Sequence, residues 1–231
     1  MSSKLNQSKG VILWDIDGTI ISPIRKMINS PHESAVIKHG IEPNGRSKVL
    51  IGSTDYEVLE DLLENYRGED KLSLLDNCFK ELDQESSVLY GQNLFELCLG
   101  MPEVLLEASK LGWKNGVLTG NTYKRMVMKL SNVLEKFDQS LMFECKFGDT
   151  REKIAKRASE VLKFNEINNV IIVGDTPRDI SVAKKFNFHT VSVASGKFSY
   201  KELKNFSPDL VLNDFNNDVK LFLKFVSSFH K

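Results

Sequence analysis

The chain has 231 residues, which leaves room for one large domain or for a main domain with a smaller inserted one, and we expect the second arrangement. Hydrophobic residues make up 41% and charged residues 27% of the sequence, and the 31 basic and 31 acidic side chains cancel to a formal net charge of zero. Lys and Arg are mixed with Glu and Asp, which excludes the basic excess typical of nucleic-acid-binding proteins.

The N-terminal segment MSSKLNQSKG is polar and leads into the apolar run Val11 to Trp14, which is too short for a signal-peptide core or a membrane span. Cys78, Cys98 and Cys145 are too few and too far apart for a disulfide framework, and they form no CxxC or Cys/His zinc motif. We therefore predict a cytoplasmic protein without a membrane partner, whose cysteines are small buried hydrophobic residues.

Apolar runs recur along the chain, and each is followed by a polar or Gly-containing turn and then by a segment with helical periodicity. Such runs are typical of strands that crossover helices bury on both faces, so the sequence predicts a parallel α/β sheet. The predicted strands are Val11 to Trp14, Gly116 to Leu118, Leu141 to Phe147, Val170 to Val173, Thr190 to Val193 and Leu210 to Leu212. The predicted helices are Glu103 to Leu111, Tyr123 to Phe137, Glu152 to Leu162, Arg178 to Phe186 and Asp218 to Phe229.

The interval 22–97 interrupts this alternation, because it contains amphipathic stretches without a buried strand between them. Thr54 and Glu57 match the S/T-x-x-E capping box and predict a helix that starts near Thr54. A second helical stripe consists of Leu72, Leu75, Cys78, Phe79 and Leu82. The sequence thus predicts a core formed by residues 1–21 and 98–231, into which the helical segment 22–97 is inserted.

Two aspartates follow the first apolar run, in the segment Trp14-Asp15-Ile16-Asp17-Gly18-Thr19. Residues two apart in an extended segment point the same way, so Asp15 and Asp17 can face one site at the carboxyl end of the first strand. Open α/β sheets bind their ligands at this end. Asp-Gly pairs are also common in turns, and an isolated D-x-D-G would be explained equally well by a turn.

A second aspartate cluster follows the run Val170 to Val173, where Asp175 ends the strand and Asp179 lies close by, just after Pro177 in the first turn of the next helix. Asp175 alone could simply cap that helix. Two carboxylate clusters at the ends of two parallel strands are harder to explain as caps. They offer hard oxygen ligands without a nearby His or Cys, which is the ligand set that Mg²⁺ prefers.

A third element is the turn Thr119-Gly120-Asn121 after the apolar run Gly116 to Leu118. The Thr119 hydroxyl can donate a hydrogen bond to a phosphate oxygen, and the amides of Gly120 and Asn121 precede a predicted helix, where an anion can bind. Thr-Gly-Asn is also an ordinary helix-capping turn, so this element by itself indicates little.

A carboxylate that attacks a phosphate dianion needs positive charge beside it, since two like charges about 4 Å apart repel by roughly 4 kcal/mol at an effective dielectric of 20. Arg151 and Lys153 are the candidates, and either could instead be a solvated helix charge. Arg151 precedes the apolar residues Ile154 and Ala155 by three and four positions and so shares their inward stripe, whereas Lys153 does not. We therefore favour Arg151.

In this order, the four elements resemble the motifs of the haloacid dehalogenase-like superfamily of phosphohydrolases. The elements are D-x-D-G-T from Asp15, the strand-terminal Thr119, the basic Arg151, and G-D-x-x-x-D with Asp175 and Asp179. The resemblance implies a Rossmann-like core. Because the insertion follows the first motif, it also implies a helical cap domain, as in phosphoglycolate phosphatase-like and β-phosphoglucomutase-like members.

Residue by residue, the resemblance makes Asp15 the nucleophile and Asp17 the general acid/base. It makes Arg151 the charge-neutralising residue and Thr119, with the adjoining turn, the phosphate ligand. The residues that it assigns to magnesium are Asp15, Asp17 through its backbone carbonyl, Asp175 and, in support, Asp179. The commonest subgroup has Lys-Pro at the third motif, where this chain has Arg151-Glu152, so the resemblance does not carry a particular substrate with it.

The activity expected from these residues is hydrolysis of a small phosphorylated metabolite through an aspartyl-phosphate. A phosphomutase of the same fold would use the same residues and is the alternative. Carbon-halogen hydrolysis is disfavoured because it needs neither Asp17 nor magnesium, and a non-catalytic binding protein is disfavoured because no motif residue is missing. We expect a monomer or a small homo-oligomer.

Overall fold

A computed structural model describes residues 8–22, 30–43, 51–91 and 95–229 of the chain. Within these residues, six strands form one sheet in the order β3-β2-β1-β4-β5-β6, and every neighbouring pair is parallel. The strands are β1 (Gly10–Trp14), β2 (Trp113–Leu118), β3 (Met142–Phe143), β4 (Val170–Gly174), β5 (His189–Val193) and β6 (Leu210–Leu212). The predicted parallel α/β fold is confirmed.

Nine α-helices and two short 3₁₀ turns connect the strands in the described part of the chain. The helices are α1 (Pro31–Ile37), α2 (Asp55–Leu62), α3 (Lys71–Tyr90), α4 (Met101–Lys110), α5 (Tyr123–Lys129), α6 (Arg151–Phe164), α7 (Pro177–Lys185), α8 (Tyr200–Asn205) and α9 (Phe215–Ser227). The 3₁₀ turns are Leu134–Lys136 and Gln139–Leu141. Helices α1 and α8 have no counterpart among the individually predicted helices.

Helices cover both faces of the sheet. Side chains alternate between these faces along each strand, so apolar side chains of a strand can pack against helices on either face. On β1, Ile12 and Trp14 pack in one apolar cluster with residues of α4, α5 and α9. Val11 and Leu13 point the other way and pack with residues of α6 and α7. Strands β1 and β4 are therefore apolar along their whole length, and polar residues begin only where these two strands end.

The inserted segment has a hydrophobic cluster of its own, formed by α1, α2 and α3. The predicted capping box is present, since the Thr54 side chain accepts a hydrogen bond from the Glu57 amide and Glu57 caps the Thr54 amide in return. The two ends of the segment lie side by side, because Ile21 and Leu97 form an antiparallel bridge. This pairing supports the predicted boundaries at residues 22–97, although the division into two domains stays a prediction.

Three sequence predictions differ from the structure. Helix α5 ends at Lys129 rather than continuing to Phe137, because the chain turns back so that the Asp138 amide donates to the Asn115 carbonyl (2.8 Å) before β3 begins. The strand predicted from Leu141 to Phe147 is limited to Met142–Phe143, since β3 is an edge strand that pairs with β2 over two residues. Leu72, assigned to the buried stripe of α3, is exposed.

Cys78, Cys98 and Cys145 are free and buried, as predicted. In the residues that the structure describes, no helix combines the length and the apolar composition that crossing a bilayer requires.

Candidate active site

The predicted site residues meet at the carboxyl edge of three neighbouring strands. Asp15 follows β1, Thr119 follows β2 and Asp175 lies directly after β4. Strand β1 lies between the other two, at the point where the strand order reverses. A crevice opens at such a point in doubly wound sheets, since the crossover connections on its two sides leave in opposite directions. The fold alone therefore brings the first, second and fourth motifs together.

Asp15 is held rigidly below the surface. Its amide donates to the Val173 carbonyl (2.8 Å), and the residue is only 8% exposed. The Arg151 guanidinium donates from Nη2 to Asp15 Oδ1 at 2.7 Å. Burial raises the pKa of Asp15 to about 7, although Arg151 opposes the change, and the charges of Asp179 and Asp17 add to it. The ionised form of Asp15 is thus unfavourable unless positive charge in addition to that of Arg151 lies nearby.

Asp175 and Asp179 complete a buried acidic cluster with Asp15, in which one oxygen from each residue lies within 4.8 Å of the others. Burial raises the pKa of Asp175 to about 9, and the charges of Asp15 and Asp179 raise it further. Asp179 Oδ2 accepts from the Thr176 hydroxyl (2.7 Å) and amide (3.1 Å). Gly174 permits this arrangement, because a Cβ at that position would collide with the Asp179 carboxyl.

The cluster fits a magnesium ion. Asp175 Oδ1 is buried and has no hydrogen-bond partner among the described residues. A buried carboxylate oxygen is costly to leave unpaired, and several such oxygens without nitrogen or sulfur ligands suit a small hard cation. The same charges that raise the pKa values of Asp15 and Asp175 would be relieved by a divalent ion. Among the described residues, Asp17 contributes no side-chain oxygen to this cluster, and its role through the backbone carbonyl stays a prediction.

The structure separates the two candidate cations of the third motif. Arg151 opens α6, is buried, and donates through Nη2 to both Asp15 and Asp179. Lys153 is exposed, and its ammonium donates to the Gly148 carbonyl at 2.8 Å. Arg151 is therefore placed where a phosphoryl group on Asp15 would need positive charge, whereas Lys153 faces away from the acidic cluster. This placement supports the choice made from the helical stripe.

Asp17 lies beside the acidic cluster but faces a different set of partners. Lys129 Nζ donates to both carboxylate oxygens of Asp17 at 2.7 Å, and Asn121 Nδ2 donates to Oδ2 at 2.8 Å. Desolvation alone would raise the pKa of Asp17. The Lys129 ammonium and the hydrogen bonds outweigh it and hold that pKa below its ordinary value. The Asp17 side chain remains 48% exposed, so a substrate can still reach it.

The turn after β2 differs in part from the prediction. Thr119 Oγ1 accepts from the side chain (2.7 Å) and the amide (3.2 Å) of Asn121. Its own hydroxyl hydrogen is therefore available for a phosphate oxygen. The sequence predicted that the Asn121 amide could bind an anion. In the structure this amide instead donates to Thr119 Oγ1. The amide that precedes α5, on Thr122, donates instead to the Asp55 carboxylate at 2.7 Å.

Sequence reasoning missed a buried charged network that joins the insertion to α5. Asp55 Oδ2 lies 2.9 Å from Arg125 Nε, and Asp55 Oδ1 lies 2.9 Å from His32 Nε2. Arg125 and Lys129 are four positions apart on α5, and both are buried. The sequence feature that could have revealed this network is the pair of cations on the helix face that also carries Met126. A cation at a core-facing helix position indicates a buried carboxylate partner.

The chain was compared with known proteins and solved structures. A family profile described as haloacid dehalogenase-like hydrolase matches residues 12–193. A "predicted phosphatase" from Clostridium acetobutylicum is 18% identical, with a TM-score of 0.68 over 94% of this chain and 100% of that one. A β-phosphoglucomutase from Clostridium difficile is 18% identical, with a TM-score of 0.66 over 95% and 97% of the two chains.

A third structure, a "predicted phosphoglycolate phosphatase" from Haemophilus somnus, is 18% identical, with a TM-score of 0.61 over 94% of this chain and 99% of that one. Comparison with curated protein sequences found no match. At this identity the structural neighbours establish the fold alone. Because the family profile spans most of the sequence, the chain belongs to the haloacid dehalogenase-like hydrolase family.

Proposed function

We propose that the chain is a magnesium-dependent phosphatase that hydrolyses a small phosphorylated metabolite through an aspartyl-phosphate on Asp15. The observation that carries the proposal is the position of Asp15, which lies at once beside the Arg151 guanidinium (2.7 Å) and within the acidic cluster with Asp175 and Asp179. A buried carboxylate in this setting is oriented for attack beside one cation, and the acidic cluster would hold the metal ion that supplies the remaining positive charge.

In the first step, one Asp15 oxygen attacks phosphorus while the bond from phosphorus to the leaving oxygen breaks. Asp17 would be protonated once the phosphate dianion beside it offsets the charge of Lys129, and it then gives that proton to the leaving oxygen, so the alcohol leaves uncharged. In the second step, Asp17 takes a proton from water, whose oxygen attacks the same phosphorus. The bond to Asp15 breaks, and inorganic phosphate and the free carboxylate result.

Magnesium would be held by Asp15, Asp175 and the backbone carbonyl of Asp17, with Asp179 in support. When bound, the ion would neutralise negative charge on the phosphoryl oxygens. Arg151 would carry the remaining neutralisation through its planar donors, which suit phosphate oxygens.

The phosphate would also be held by the turn after β2. The Thr119 oxygen accepts twice from Asn121, and in the hydrogen bonds of the described residues its hydroxyl donates to no acceptor, so it can donate to a phosphate oxygen. We assign the Gly120 amide to the same phosphate, with Asn121 acting through its side-chain contacts rather than its amide. The inserted segment 22–97 would form the cap domain that meets the rest of the metabolite. Location in the cytoplasm and assembly as a monomer or small homo-oligomer stay predictions.

The test is release of phosphate from p-nitrophenyl phosphate by the purified protein, with and without Mg²⁺, in parallel with the Asp15→Asn variant. An amide cannot serve as the nucleophile, so the variant should lose turnover while its circular dichroism spectrum is unchanged. Undiminished activity in excess chelator, or near-normal turnover by Asp15→Asn, would contradict the proposal. A panel of phosphorylated metabolites, assayed for both free phosphate and isomerised sugar phosphate, would identify the substrate and detect mutase activity.

A further inference from the structure

A buried lysine outside the four motifs is directed at the side chain of Asp17. Lys129 is the last residue of α5, and its side chain is 3% exposed, whereas that of Asp17 is 48% exposed. The ammonium lies 2.7 Å from Asp17 Oδ1, from Asp17 Oδ2 and from Asn121 Oδ1. An ammonium has three hydrogens, and these three acceptors use all of them. The lysine is therefore fixed from within the core and holds a carboxylate that faces the site.

Stability alone gives little reason for a lysine here. Burying an ammonium costs free energy that its partner regains only in part, and a well-packed apolar side chain often stabilises such a position equally well. The helix C-terminus favours a cation, but an exposed lysine in the last turn would meet that preference without burial. What the buried lysine supplies is a fixed position for Asp17.

The contacts divide the two Asp17 oxygens. Oδ2 accepts from both Lys129 and Asn121, while Oδ1 accepts from Lys129 in the hydrogen bonds of the described residues. Each carboxylate oxygen has about two lone-pair sites, so Oδ2 is saturated and Oδ1 retains one. Asn121 is itself anchored by its hydrogen bond to Thr119 Oγ1. Together these donors leave the carboxylate one orientation and one oxygen for proton exchange.

We propose that Lys129, supported by Asn121, is a positioning residue that orients Asp17 so that Oδ1 exchanges the proton with the substrate's leaving oxygen and with water. The inference rests on the proposed phosphatase function and deepens it. Losing the lysine would free the carboxylate to rotate about both of its side-chain bonds. Transfer of the proton would then become slower, while attack by Asp15 would be affected much less.

The experiment uses Lys129→Met, which keeps the length of the side chain and removes its donors. The matched control is Lys124→Met, an exposed lysine on the same helix. For each protein, kcat and KM are measured with p-nitrophenyl phosphate, whose leaving group needs no proton, and with an alkyl phosphate that the wild type hydrolyses. The Lys129 variant should lose at least about tenfold more kcat on the alkyl ester than on the activated one, because only the former depends on a positioned acid. Its KM values should change little, and the control should match the wild type.

Equal losses on both esters, or no loss, would overturn the inference and leave Lys129 as a structural ion pair. If Lys129→Met does not fold, the same measurements are made on Lys129→Gln, whose side chain still carries a hydrogen-bond donor. The glutamine variant should show a smaller but still ester-dependent loss. Failure of both variants to fold would assign the lysine a structural role and would also overturn the inference. A wild type inactive on both esters refutes the phosphatase proposal instead, so the two failures are distinguishable.

Discussion

Arg151→Ala should lower turnover of a phosphate ester by a factor on the order of 10²–10³ at saturating Mg²⁺. The side chain donates to Asp15 and Asp179 from one nitrogen, so its loss removes the cation shared by two buried carboxylates. Asp15 would then have to attack a phosphate dianion without this neutralising charge.

The magnitude follows from the geometry. At about 4 Å and an effective dielectric of 20, each pair of unit charges interacts by roughly 4 kcal/mol. Arg151 Nη2 is 2.7 Å from Asp15 Oδ1, so a phosphoryl group on that oxygen would be within reach of the same guanidinium. Removing one preorganised donor to developing charge typically costs about 2.7–4 kcal/mol, which corresponds to the factor given above.

The assay compares kcat of Arg151→Ala and Lys153→Ala with p-nitrophenyl phosphate over a range of Mg²⁺ concentrations. Lys153 serves as the control because it is two positions away, carries the same charge and is exposed, with its ammonium donating to the Gly148 carbonyl. Far-ultraviolet circular dichroism checks that the overall helical content is preserved in both variants. We expect near-normal turnover from the lysine variant.

Two outcomes would refute this reasoning. A larger loss in Lys153→Ala than in Arg151→Ala would show that the lysine reaches the phosphate when substrate is bound. Full recovery of Arg151→Ala by high Mg²⁺ would show that the arginine only assists metal binding, since the ion would then replace it completely.

Three further predictions concern the metal, the pH dependence and the insertion. Asp175→Asn should raise the Mg²⁺ concentration needed for half-maximal activity, and an unchanged requirement would place the ion elsewhere. Without metal, the pKa values of about 7 for Asp15 and about 9 for Asp175 exceed the unfolded value of about 3.9, so the folded state binds extra protons and thermal stability should fall as pH rises from 5 to 9. In chelator, Asp175→Asn should flatten this slope, and an equal slope would exclude Asp175 as its source. Asp55→Ala leaves the buried Arg125 without its carboxylate and should lower the free energy of unfolding by about 3–5 kcal/mol in urea titrations, whereas exposed Glu60→Ala should have little effect.

The fold and the acidic part of the site could be predicted because both depend on local sequence signals. Buried strands read as apolar runs, and their ends are marked by the first polar residue, which is how Asp15, Thr119 and Asp175 were found. Parallel strands end at one edge, so residues distant in sequence meet without any knowledge of their contacts. Arg151 could be selected over Lys153 because helical periodicity determines which side chain points inward.

The contacts of α5 could not be predicted, because they depend on where one short helix ends and on what the insertion presents to it. Apolar spacing continues beyond Lys129 to Phe137, so periodicity alone overestimated the helix. The chain leaves the helix there because the backbone must return to pair with Asn115 before β3. Because the predicted helix extended too far, the sequence could not identify the partners of Lys129 at the true end of α5.

Asp55 connects these observations, since it joins the insertion to the turn after β2. Its amide donates to the Gly120 carbonyl (2.8 Å) and its carboxylate accepts from the Thr122 amide (2.7 Å), so the start of α2 is fastened on both sides of Asn121. Asn121 in turn contacts Lys129 and Asp17. The insertion therefore supports the residues around Asp17 rather than only covering them. A displacement of α2 would disturb these supports together, which would couple the position of the insertion to the proton transfer that we propose at Asp17.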